Sequence, residues 1–209
     1  MAEDSRGTTP AASVWLRERP AGKRRSEQPA GLDRDRIVAT TVRLLDSGGL
    51  ATFSMRRLAA ELGVTAMSVY WYVDTKDDLL ERVLDAVHGE IELPPEEADA
   101  DWRDEVRELA RGYRAMLVAH PWTAHLIGTY PNIGPLAADF ANLSARAMAR
   151  SGLAPEQQTG ALGCVLPYVY GFGAVEVRWG AQQRERDFTF GLDCVIAGIE
   201  AMRDRHLRT

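Results

Sequence analysis

The chain has 209 residues, 45% of them hydrophobic and 26% charged, and a formal net charge of -5. That length holds one generous core, or a small domain beside a medium one. No apolar run approaches the length of a membrane span, and charges and prolines stand where the apolar part of a signal peptide would lie, so the expected location is the cytoplasm.

The acidic balance argues against a nucleic-acid partner only until it is split along the chain. From Lys23 to Lys76 there are nine Lys or Arg against six Asp or Glu, whereas beyond Lys76 there are thirteen against twenty-one. A basic balance confined to one region is the electrostatic footprint expected of a local nucleic-acid surface. Cys164 and Cys194 are far apart, lack metal-ligand spacing and fall in apolar helical patterns, so they are expected to be buried reduced thiols rather than a disulfide.

In chain order, residues 1–31 are rich in Pro, Ala, Gly, Ser and charge without an apolar period, which predicts a disordered basic arm. Its Lys23-Arg24-Arg25 cluster is expected as solvated tail, with contact to phosphates or a minor groove as the alternative. Order begins near Leu32. Asp33 can cap a helix in which Ile37, Val38, Thr41, Leu44 and Leu45 recur at helical spacing, and Ser47-Gly48-Gly49 stops it. Ser54 caps a second helix with Leu58, Ala59 and Leu62 inward, and Gly63 ends it. Thr65 caps a third, very short helix to about Tyr72. Asp74-Thr75 starts a fourth, from Lys76 to about Ile91, with Leu79, Leu80, Val83, Leu84 and Val87 on one stripe.

An acidic linker from Glu96 to Asp101 precedes longer helices. These run from Trp102 to about Ala119, over a short piece at Trp122 to Ile127, from Leu136 to Arg150, and from Glu156 to about Gln182 as the longest. A polar turn, Gln183 to Asp187, then leads to a last helix from Phe188 to Arg205. No internal repeat and no β alternation appears. The reading is an all-α chain of about nine helices, with a three-helix helix-turn-helix DNA-binding domain over 32–78 and a helical ligand-binding and dimerisation bundle over 79–209.

The stretch Ser54 to Lys76 carries the function. Ala59 is small where two helices cross, Gly63 sits where the turn needs positive φ, and Val69 packs the third helix back on the second. Tyr70, Trp71 and Tyr72 are consecutive, and successive helix positions lie about 100° apart, so the three cannot all face one core. Trp71 is the one expected to spend its ring on packing.

These residues, LLDSGGLATFSMRRLAAELGV followed by VYWYVDTKDDLL, resemble the TetR family of transcriptional repressors, and WRDEVRELARGYRAMLVAHPW resembles the ligand-binding domain of its tetracycline-repressor branch. The resemblance implies a homodimer that binds a palindromic operator and is released by a small molecule. Carried over by position, it places Arg56, Thr65, Ala66, Met67, Ser68, Tyr70, Trp71, Tyr72 and Lys76 at the DNA. Arg56 suits a guanine edge, and Ala66 and Met67 suit a thymine methyl. Ser68 suits a base edge or phosphate, and Tyr70, Tyr72 and Lys76 suit phosphates. Tetracycline repressors hold a magnesium chelate through a histidine of the fourth helix and further groups downstream. Here Glu92, Leu109 and residues near Ile127 and Tyr130 fall in those places, so no metal site and no cofactor is expected, and the effector is expected to be more apolar.

The C-terminal part holds many large side chains, for any one of which core packing is the simpler fate. Together Tyr113, Met116, Trp122, Phe140, Tyr168 and Phe172 suit a mostly apolar effector pocket, with His120, His125, Tyr130 and Glu176 as its polar groups. Gly160, Gly163, Gly171, Gly173 and Ala174 give the penultimate helix a face for close approach, so the last two long helices are the expected homodimer surface. Catalysis is not expected. His120 and His125 lack metal spacing, and no nucleophile elbow, phosphate-binding glycine loop or paired carboxylate occurs. A DNA-binding protein without an effector is the other alternative.

Overall fold

The structure, a computed structural model, describes residues 13–17, 32–94, 101–175 and 181–206. Among them there are nine helices and no strand: α1 (Arg34–Thr52), α2 (Met55–Leu62), α3 (Ala66–Tyr70), α4 (Lys76–His88), α5 (Trp102–Ala119), α6 (Thr123–Ile127), α7 (Pro135–Ala149), α8 (Pro155–Val175) and α9 (Ala181–His206).

Local chemistry sets the first four. Asp33, Ser54, Thr65 and Thr75 are extended residues whose side chains accept from Arg36, Arg57, Ser68 and Asp78 backbone N–H groups, each satisfying a donor that the helix start leaves unpaired. Gly49 breaks α1 at φ 67°, where the sequence places the stop, and three more residues turn before Phe53. Gly63 closes α2 at φ 71°. Leu58 of α2 and Val69 of α3 are fully buried, with Ile37 and Leu45 of α1 beside them in the core. Each such side chain contributes about 1.5–3 kcal/mol on burial.

The helix α4 leaves this small unit and enters the larger one, packing on α1 at one side and on α5, α6 and α7 at the other. In the larger unit α5 is central, flanked by α7 and α8. Its Val106, Leu109, Tyr113, Met116 and Leu117 are all buried, as their spacing predicts. Phe188, Leu192, Ile196 and Ile199 of α9 complete the core, whereas Met202 of the same stripe is exposed.

Three expectations are corrected. Gln183 to Asp187 is not a turn but part of α9, which runs over 26 residues. The run contains no Gly or Pro, and Gln183 donates to Asp187 one turn on at 2.8 Å, so polar residues here form a helix surface. Both cysteines are exposed, lying on the outer faces of α8 and α9. Within the arm expected to be disordered, Ser13–Arg17 is placed against α4, and Ser13 is buried. The Lys23-Arg24-Arg25 cluster lies outside the described residues.

Candidate nucleic-acid interface and the helices behind it

In α3, Val69 faces the core while Met67, Tyr70 and Trp71 are 70%, 38% and 40% exposed. They stand at i, i+3 and i+4, hence on one helix face. An exposed stripe of this size on a five-residue helix is held by the cap and the turn rather than by its own hydrogen bonds. Arg56 is exposed at the start of α2, and Lys76 is exposed at the start of α4 with its Nζ 5.5 Å from the Phe53 ring centre. The Thr65 and Ser68 hydroxyls lie 3.0 Å apart within the cap, and Ala66 and Ser68 are partly buried.

The aromatic run divides differently from expectation. Tyr72, assigned to phosphate, turns its hydroxyl inward to donate to the Leu32 carbonyl at 2.6 Å, tying α3 to the start of α1. Trp71, expected to pack, stays exposed. The hydroxyl of Tyr72 gains a backbone acceptor inside the fold that the indole of Trp71 is not positioned to use.

The expected effector residues fall into separate groups. Tyr113, Met116 and Phe140 are buried together between α5 and α7, with the Tyr113 and Phe140 ring centres 5.3 Å apart. Burial pushes the Tyr113 hydroxyl up to about 12. The cleft bordering Phe140, lined by Val106, Leu109, Ser144, Leu162 and Val165, encloses about 10 Å³, room for no more than a water. Tyr168 and Phe172 pack elsewhere, against Phe188, and the Tyr168 hydroxyl donates to the Phe188 carbonyl at 2.9 Å. His125 is exposed. Glu176 lies outside the described residues. Tyr130 reaches from the loop after α6 to donate to Asp77 in the first turn of α4 at 2.8 Å; burial, then the carboxylate, raises its pKa.

His120 and Trp122 are not in that cluster but at the junction of the two units. His120 Nδ1 donates to Asp46 of α1 at 2.7 Å, and Nε2 donates to Glu90, just past α4, at 2.8 Å. Trp122 Nε1 donates to the same Asp46 oxygen at 2.7 Å. Burial opposes charging of His120, but the two carboxylates outweigh it and hold its pKa above the ordinary 6.5.

Sequence reasoning missed His88, four residues before Glu92, which is exposed. His88 is buried in the last turn of α4 beside Tyr113 and Phe140. Its Nδ1 donates to the Leu84 carbonyl at 2.8 Å, which leaves Nε2 to accept from Asn132 Nδ2, also at 2.8 Å. Burial lowers its pKa, so it is a neutral, oriented imidazole beside the apolar cluster. The signal was available: His88 follows Leu84 by four on the buried stripe. Asp85, one turn before Gly89, was also missed. It is buried and accepts from the Ala137 N–H at the start of α7 at 2.9 Å, and burial raises its pKa. A Cβ on Gly134 would run into that carboxyl, so glycine is needed there. Among the described residues, no group of three or more His, Cys, Asp or Glu side chains could hold a metal ion.

Residues 37–83, which span α1 to α4, match the family described as "Bacterial regulatory proteins, tetR family", and residues 93–187 match "Tetracyclin repressor-like, C-terminal domain". An HTH-type transcriptional regulator of Saccharopolyspora erythraea is 38% identical over 170 residues, which is 81% of this chain and 70% of that protein. The HTH-type transcriptional repressor DrrR1 of Streptomyces coeruleorubidus is 36% identical over 79% of this chain, a match that spans 61% of the repressor's length. Among solved structures, ActR of Streptomyces coelicolor in complex with actinorhodin superposes with a TM-score of 0.72 at 27% identity, covering 83% of this chain and 97% of ActR. The chain belongs to the TetR family of bacterial transcriptional regulators.

Proposed function

We propose that the protein is a ligand-responsive repressor that binds a palindromic DNA operator as a homodimer and leaves it when a small, largely apolar effector enters the C-terminal unit. The observation that carries the DNA half is the exposed Met67, Tyr70 and Trp71 face of α3, flanked by Arg56 and Lys76. A helix with this face outward fits a major groove, with Arg56 suited to a guanine edge and Tyr70 and Lys76 suited to phosphates. The effector half rests on the family and on the buried Tyr113, Met116, Phe140 and His88 cluster. ActR, solved with actinorhodin bound, supports a small-molecule effector. The described cleft beside Phe140 encloses about 10 Å³, so entry of an effector there would shift the population toward a more open arrangement of α4, α5 and α7. Dimerisation is assigned to α8 and α9, and the place of action to the cytoplasm, where the operator would be. No described helix is long and apolar enough to cross a membrane.

The test is selection of duplexes from random DNA by the purified protein, followed by titration of the recovered sequence. Tyr70→Ala and Lys76→Ala should each weaken binding while the protein stays folded, and Lys76→Ala should reduce the salt slope by about 1. Recovery of no palindrome, or affinity unchanged in both variants, would remove the interface.

A further inference from the structure

Helix α4 carries carboxylates at Asp77, Asp78, Glu81 and Asp85, and two of them have folded partners already described: Asp77 meets Tyr130, and Asp85 caps α7. Asp78 and Glu81 are 1% and 6% exposed, and the short N-terminal segment Ser13–Arg17 meets both. The Ser13 hydroxyl and the Val14 N–H, the latter at 3.2 Å, donate to the same Glu81 oxygen. Arg17 pairs with Asp78. The Arg82 guanidinium lies over the Trp15 ring at 4.8 Å, and Trp15 lines a 530 Å³ groove together with Val38 and Val42 of α1, Ala86 of α4 and Leu136 of α7. The segment is itself turned, its Leu16 N–H donating to the Ser13 carbonyl at 3.0 Å. A hydroxyl, a backbone donor, a guanidinium and an aromatic ring from five consecutive residues thus meet one face of one helix.

That face starts two residues from Lys76. At about 1.5 Å rise and 100° per residue, Asp78 and Glu81 stand roughly 3 and 7.5 Å along the axis from it and on the other side of the helix, about 10 Å away, which is about one Debye length in physiological salt. Carboxylates at this range oppose a phosphate at Lys76, and pairing Asp78 with a guanidinium reduces that opposition.

We propose that Ser13–Arg17 is a built-in strap that docks on the acidic flank of α4 and screens Asp78 and Glu81 from DNA, so that its release weakens operator binding. The screening role rests on the DNA-binding reading above; the docking does not.

Two measurements separate them. In the full-length chain without DNA, the amides of Val14, Trp15 and Leu16 should exchange more slowly than in an unstructured peptide, and reach that rate in a Trp15→Ala/Arg17→Ala variant. Free exchange in the unmodified chain would overturn the docking. On the selected duplex, Arg17→Ala should weaken binding about 3- to 10-fold at low salt, with the difference fading as salt rises. In an Asp78→Asn/Glu81→Gln background, Arg17→Ala should have no further effect. If the same loss persisted there, Arg17 would be touching DNA itself and the screening role would be wrong. If the unmodified chain retained no duplex, the regulator reading and the screening role would fall together, while the exchange result would still decide the docking.

Discussion

His120 was expected as one of the polar groups of the effector pocket; it bridges instead to Asp46 of α1 and Glu90 beyond α4 with both ring nitrogens. A neutral imidazole has one N–H, so donating to two carboxylates requires the charged form. The folded pKa lies above 6.5, so the contact stabilises fully below that value and is lost as pH rises through the raised one. Charge-assisted bonds of this kind contribute about 1.5–3 kcal/mol, less where solvent screens them as it does at the exposed Asp46 and Glu90. His120→Gln should therefore lower stability by about 1–2 kcal/mol near pH 6 and by less near pH 9 in urea melts. His88, whose lowered pKa gives the opposite dependence, is present in both chains and cancels in the difference. A difference that does not change with pH would mean that the imidazole is not charged.

At the scale of elements, what the sequence made legible was local. Asp33, Ser54, Thr65 and Gly63 each act on backbone groups within four residues, and each lies where its chemistry places it. Gly63 holds φ 71°, in the left-handed region that a Cβ disfavours, with open space around it. Gly63→Ala should thus cost only the backbone strain, about 1 kcal/mol, read as a lowered melting temperature without a change in helix content. A loss of several kcal/mol would show that α2 and α3 had separated. What was not legible depended on partners distant in sequence. Ser13–Arg17 has no period of its own and takes its shape from Glu81 and Asp78, more than sixty residues away. Tyr72 could be told from Trp71 only by the Leu32 carbonyl that meets its hydroxyl. The supposed pocket residues share composition but not a place, because which face of α5, α7 or α8 meets which neighbour is set by packing angles that a single helix pattern does not contain. Of the cluster proposed for the effector, Tyr113, Met116 and Phe140 were legible, and His88, buried beside Tyr113 and Phe140, was not.

Over the whole molecule, α4 joins the parts. Its first turn holds Lys76 and the Tyr130–Asp77 bond, its middle holds the strap and the α7 cap, and its end holds His88 and the Glu90–His120–Asp46 bridge. On the proposed mechanism, a change in the buried cluster that tilts α4 would move Lys76 relative to α3 and couple effector entry to release. For two such units to meet one palindrome they must be held at a fixed spacing, a role the proposal above gives to α8 and α9. Between them runs a groove of 630 Å³ lined by Leu153, Ala161, Cys164, Cys194, Val195, Ile199 and Met202. Its thiols are exposed and Met202 is half exposed. Gly160 and Gly163 on α8 are exposed, and a Cβ added at either meets nothing within 4 Å. Gly160→Glu and Gly163→Glu should therefore leave the single chain folded, or slightly stabilise it because glycine is a poor helix residue, while setting like charges against each other across a two-fold interface. Sedimentation should show dimers for the unmodified protein and monomers for the double variant. Iodoacetamide should label Cys164 and Cys194 faster in the monomer. Affinity for the palindrome should fall by about 10²-fold or more as the second half-site contact ceases to be intramolecular. If the variant stayed dimeric with unchanged thiol labelling, the interface would have to be sought on another face, and the glycines of α8 would need a different explanation.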